Sequence, residues 1–196
     1  MRNATIRLII SSSIKYTMMK NTIIVLTICL FCVSCERNAF DIENPDVVKF
    51  VQQIKSGTYD NYELGENGQK LWTKMPHFKT KHIPTLLNLA NDTMSVCPCD
   101  HFPVNPISSI PPYRISNGKE CIMIGEYLLW CVEGIIEGNT FASLTPIIQS
   151  QNKEVGVRLN GMEILHVRSL YQNWWQTHGE VENNVLPLEG TVYHWR

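Results

Sequence analysis

The first 35 residues contain no aspartate or glutamate, and Glu36 is the first acidic side chain. No uncharged apolar run reaches the roughly 20 residues that a membrane-spanning helix needs. The chain also lacks GxSxG, P-loop, GxGxxG and HExxH patterns, so no nucleophile elbow, phosphate cradle, dinucleotide fingerprint or helical zinc pair is written into it. Its six histidines are scattered at 77, 82, 101, 166, 178 and 194. Excess positive charge is missing too: 17 Lys and Arg stand against 18 Asp and Glu, which excludes the basic footprint of a nucleic-acid binder. What is present in quantity is apolar mass. With 44% apolar residues in 196, the chain can offset the entropy of ordering, and its length fits one domain.

The N-terminus carries the clearest pattern. Asn21–Ser34 reads NTIIVLTICLFCVS, preceded by Lys20 and, further upstream, by Arg2, Arg7 and Lys15. A basic segment, a short apolar stretch from Ile23 to Val33 and small residues at its exit form a secretory signal, too short for a spanning anchor. Met18-Met19-Lys20 reads as the true start, leaving residues 1–17 outside the translated protein. Val33-Ser34-Cys35 resembles a lipobox, the bacterial lipoprotein signal in which the cysteine is acylated and becomes the first mature residue. Ser34 is small, as that signal requires, whereas Cys32 departs from the usual Leu. The expected organisation is therefore a signal over 1–34, a linker over 35–44 lipidated at Cys35, and one domain over 45–196. Two or three acyl chains, at ~0.8 kcal/mol per buried methylene, hold a protein at a membrane. Four basic residues and no acidic ones leave with the signal, so 13 basic face 18 acidic residues in the mature chain. The lipid, not charge, must do the holding.

Four cysteines remain after that cut: Cys97, Cys99, Cys121 and Cys131. An even number in an oxidising envelope compartment permits two disulfides, in any of three connectivities. A Cys97–Cys99 bridge would close a tight ring around Pro98, so pairing of either with Cys121 or Cys131 is easier. Cys97-Pro98-Cys99-Asp100-His101 also offers metal-ligating groups, but its one-residue gap is shorter than zinc sites use. Plain reduced thiols are the third alternative. No metal and no other cofactor is required by any pattern in the chain.

Helical periodicity accounts for most of the rest. Asn44-Pro45 followed by DVVKFVQQIKSG gives a capping Asn, a Pro at the first helical position and Gly57 as the stop. HIPTLLNLAND predicts a short helix over 83–90, and the five prolines between Cys97 and Pro112 interrupt regular structure. Residues 121–136, CIMIGEYLLWCVEGII, are apolar on every side and predict a buried central helix. Asn160 with Glu163 predicts the capping box of another helix, closed at His178-Gly179. Glu126 and Glu133 share one face of the central helix. They are the weak catalytic candidates, since paired carboxylates do acid–base work in sugar hydrolysis. Their seven-residue spacing gives about 10.5 Å of rise, too long for a retaining pair and marginal for an inverting one. A solvated stripe, or carboxylates accepting bonds from a neighbouring element, is the competing reading. Leu186, Leu188, Val192, Tyr193 and Trp195 load the C-terminus with apolar groups and predict a docked strap over 183–196.

IPTLLNLANDT and IGEYLLWCVEGI resemble the helix edges of HEAT-like repeats. FPVNPISS, GEYLLW, the Trp174-Trp175 pair and PLEGT before Tyr193 and Trp195 are similar to a family of small Bacteroides-type lipoproteins of unknown function. That resemblance implies a fold and a location: a mainly α, compact HEAT-like domain with Pro-rich loops, anchored by lipid to the outer membrane. It implies no activity. Asp92-Thr93-Met94 resembles the acceptor for periplasmic O-glycosylation, which makes Thr93 the modification candidate. The functional expectation is a non-enzymatic binding module that meets the membrane through its lipid and an envelope protein or glycan through its surface. The alternative is an envelope enzyme acting on glycan or peptidoglycan through Glu126 and Glu133.

Overall fold

A computed structural model describes residues 40–109, 114–179 and 185–196. These belong to a compact unit that runs from Phe40 to Arg196. The expected signal segment and Cys35 lie outside the described residues. Among the described residues no helix is long and apolar enough to cross a membrane.

Among the described residues the fold is mixed α/β, with 35% helix, 16% strand and three small antiparallel sheets. This overturns the mainly α, HEAT-like expectation. Helix α1 spans Val47–Ser56 and buries Val47, Phe50, Val51 and Ile54 at helical spacing. Its cap is Asp46, whose carboxylate accepts from the Lys49 N–H at 3.0 Å, so the helix starts later than Asn44-Pro45 implied. Asn44 is used differently, in a turn held by the Asp41 carboxylate. Gly57 ends α1 at φ 71°, a left-handed position that glycine adopts without a Cβ penalty.

Strands β1 (Tyr62–Leu64) and β2 (Lys70–Thr73) then form a hairpin with a register shift. A 3-10 turn at Thr80–His82 leads into helix α2, Ile83–Leu89. Three further strands, β3 (Ser95–Val96), β4 (Arg114–Ser116) and β5 (Lys119–Met123), pair in the order β3-β5-β4. Asn117 at φ 51° and Gly118 at φ 73° make the two-residue turn between β4 and β5, because both positions need left-handed backbone. Residues 121–123, expected to open the central helix, are thus the end of a strand. Helix α3 starts only at Ile124 and runs to Glu137.

Every residue of α3 from Ile124 to Gly134 is buried. Helix α2 packs on one side of it and α4, Gly161–His178, on another. The capping box of α4 is formed: Asn160 Oδ1 accepts from the Glu163 N–H at 3.0 Å, and Glu163 Oε2 accepts from the Asn160 N–H at 2.7 Å. Strand β6 (Ile148–Ser150) pairs antiparallel with β7 (Tyr193–Trp195), the last element of the chain. Stacked helical hairpins, the arrangement of a HEAT repeat, are replaced by one buried helix whose neighbours include strands from distant parts of the sequence.

The start of α3 shows how tightly it is held. Its first free N–H groups find no side-chain cap; instead the Ile124 N–H donates to the Met94 carbonyl at 3.0 Å and the Gly125 N–H to that of Asp92 at 2.7 Å. A Cβ on Gly125 would stand 2.5 Å from the Ala90 carbonyl oxygen. Only glycine permits this approach.

Candidate functional site

Glu126 and Glu133 are 2% and 4% exposed, so the stripe they form is interior and not solvated. Glu137, one turn beyond Glu133, is exposed at the end of the helix. Each buried carboxylate is satisfied by a different element. Glu126 Oε2 accepts from Arg114 Nη2 at 2.7 Å, and its Oε1 accepts from the backbone N–H of Ile148 at 3.0 Å. Arg114 Nη1 also donates to the Leu159 carbonyl at 2.6 Å. One ion pair thereby joins α3, β4, β6 and the segment that enters α4. A buried pair of this kind offsets its desolvation only through such extra hydrogen bonds.

Glu133 Oε2 accepts from the Tyr171 hydroxyl at 2.6 Å, and that hydroxyl oxygen accepts from Trp195 Nε1 at 2.8 Å. Burial pushes the Glu133 carboxyl up to about 7; the Tyr171 bond opposes that shift, and the nearby Glu137 charge adds to it. Burial likewise raises the Tyr171 phenol well above its ordinary value, with the Glu133 charge reinforcing it. The relay Glu133–Tyr171–Trp195 connects the central helix, α4 and the C-terminal strand.

A cavity among the described residues lies on another face of α3. It encloses about 360 Å³ between the segment Met75–Thr80 and the Cys131, Gly134, Ile135 and Gly138 face of the helix. At 100° per residue that face points away from Glu126 and Glu133, neither of which lines the cavity. His77 at its rim bonds Glu43 at 2.7 Å. The Cys131 thiol is held far above its ordinary range by burial, so it is a neutral thiol and not a nucleophile.

Cys97 and Cys121 form a disulfide, with sulfurs 1.97 Å apart, that ties the proline-rich loop to β5. Cys99 and Cys131 are free and buried, and burial pushes the Cys99 thiol up to about 11. His101 bonds the Ile54 carbonyl through Nε2. Cys97 and His101 therefore have other partners than a metal ion, and among the described residues no cluster of three or more His, Cys, Asp or Glu could hold one. Thr93 is half-buried and faces the start of α4, where a Cβ on Gly161 would come within 3.0 Å of its Cβ.

The tryptophans divide. Trp130 is buried and donates to Ser143 Oγ at 2.8 Å, Trp195 is engaged with Tyr171, and Trp174 donates to the Val185 carbonyl at 2.7 Å. Trp72, on β2, is 43% exposed. Arg114 and Gly125 carry much of the interior chemistry, yet neither has a role legible in the sequence; Tyr171 reads there as part of the inner stripe of α4, but not as the partner of Glu133. No local pattern tells an Arg which carboxylate it will meet, although the Asn117-Gly118 turn could have announced the strand that bears it.

The profile of a domain of unknown function, DUF4943, matches residues 41–196. The chain belongs to that family. Its match begins beside Phe40, where the compact unit begins, so the DUF4943 domain and the folded unit are nearly coextensive. No curated protein and no solved structure matches the chain.

Proposed function

We propose that this DUF4943 protein is a lipoprotein of the Bacteroides type, held by an acylated Cys35 at the outer membrane, and that it works by binding an envelope protein or glycan. The observation that favours binding over catalysis is the state of its two interior carboxylates. Glu126 is spent on Arg114 and the Ile148 N–H, and Glu133 on Tyr171, so both are committed to holding the fold. The catalytic alternative keeps one argument: a carboxyl near 7 is the right strength for a general acid at neutral pH. Its Oε2, however, is already engaged by the Tyr171 hydroxyl, which is in turn held by Trp195 Nε1.

Two measurements test this reading. Fractionation of cells carrying the wild-type chain and Cys35→Ala should find the former with the membrane and the latter in the soluble envelope fraction. A wild-type chain that is soluble defeats the anchor. Incubation of the purified protein with envelope glycan and peptidoglycan should leave them intact. Turnover that Glu126→Gln or Glu133→Gln abolishes, with the variant still folded, would establish the enzyme.

A further inference from the structure

The β1–β2 hairpin puts apolar side chains where water should be: Leu64, Leu71 and Trp72 are 57%, 48% and 43% exposed. Leu71 and Trp72 are successive residues at the register shift between the two strands, and both are exposed. Apart from Glu66 in its turn, the hairpin's charges are matched internally. Lys70 bonds Asp60 at 2.6 Å and sits 3.9 Å over the Tyr62 ring, and Lys74 lies 3.3 Å from Glu63. Such an element has little to attract a charged partner and much to place in an apolar or interfacial medium.

The start of the folded unit says which medium. Phe40, its first residue, packs against Tyr59 with ring centroids 5.4 Å apart, and the Tyr59 hydroxyl donates to the Lys74 carbonyl at 2.7 Å. The His77 N–H also donates to the Ile42 carbonyl at 2.9 Å. The chain thus enters the domain at the base of the hairpin, and Trp72 is two residues, about 7 Å, beyond Lys74 along the strand. From Cys35 to Phe40 is five residues, which reach about 17 Å at most. A lipid on Cys35 therefore keeps the hairpin within reach of the bilayer surface.

We propose that the hairpin is a second membrane contact, with Trp72 at headgroup level and Leu64 and Leu71 against the acyl boundary, fixing how the domain sits on its membrane. Tryptophan is the side chain best suited to that depth, with an apolar body and a polar N–H. This rests on the lipid-anchor reading of Cys35.

The test uses the full acylated chain reconstituted into phosphatidylethanolamine–phosphatidylglycerol vesicles, with and without brominated acyl chains. The wild-type emission should be quenched by the bromine, and Trp72→Phe should lose most of that quenching. Leu64→Ser/Leu71→Ser, with Trp72 intact, should lower the quenching too. Equal quenching in wild type and Trp72→Phe overturns the proposal. So does quenching that appears only at high protein density, the mark of a second copy in place of lipid. The two readings fail separately. An acylated, vesicle-bound chain without Trp72 quenching defeats the hairpin alone; an unacylated Cys35 with quenching at Trp72 defeats the anchor alone; neither signal defeats both.

Discussion

Two regions of this protein break the ordinary partition of side chains in opposite ways. Helix α3 takes two glutamates into the interior, while the β1–β2 hairpin leaves two leucines and a tryptophan in water. The buried charges are compensated within the molecule: Arg114 and the Ile148 N–H for Glu126, Tyr171 for Glu133. Among the described residues nothing comparable covers the hairpin, whose strands contact each other more than any other element. A misplaced group with internal partners belongs to the fold. One without them points outward, and it is there that function is better sought.

The strongest way to break the comparison is to remove a partner from the interior. Glu126→Ala strands Arg114 in a buried site and leaves the Ile148 N–H unpaired, which should cost about 3–5 kcal/mol in denaturant unfolding. A loss below about 1 kcal/mol would mean that Glu126 is not structural and would reopen its catalytic candidacy.

Reduction of Cys97–Cys121, or its replacement by Cys97→Ser/Cys121→Ser, releases a loop of sequence separation 24. The chain-entropy expectation is a loss of about 3 kcal/mol. A thermal melt with and without reductant checks it, and unchanged midpoints would refute a stabilising bridge.

Glu133 sharpens the contrast through pH. Its carboxyl titrates near 7 in the fold against 4.5 ordinarily, so between those values the folded chain keeps a proton that the unfolded chain has released. The contribution is complete below about pH 4.5 and is lost as pH rises through about 7, amounting to about 3 kcal/mol at most. Glu133→Gln keeps an acceptor for Tyr171 and removes the titration. The difference in stability between wild type and variant should therefore slope across this range, and a flat difference would show that the carboxyl is not raised.

The smallest effect is expected at the hairpin. Leu71→Ser and Trp72→Ser should move unfolding stability by no more than about 0.5 kcal/mol, because these side chains are already largely in water. A loss of several kcal/mol would show the hairpin to be part of the core, and the contrast with α3 would collapse.

Much of the helical content was legible locally. Gly57 as a stop, the Asn160–Glu163 capping box and the all-round apolarity of α3 each depend on residues within a few positions of one another. The strands were not. β3 has two residues and β4, β6 and β7 three each, too few for an alternation to register. The Asn117-Gly118 dipeptide was the available hairpin signal, and without it Cys121–Met123 merged into the helix that follows.

Local chemistry in the sequence determined where α1, α2 and α4 form and that α3 would be interior. Caps, stops and apolar periodicity act over a turn or two of chain, so their meaning survives without a third dimension. Tertiary structure alone decided that Arg114 meets Glu126, that Cys97 meets Cys121, and that the last strand lies on β6 and sends Trp195 to Tyr171. It also decided that Leu71 and Trp72 stay outside. These are pairings and exposures over tens of residues, set by which surfaces remain once α3 has been enclosed, and no short-range preference encodes them.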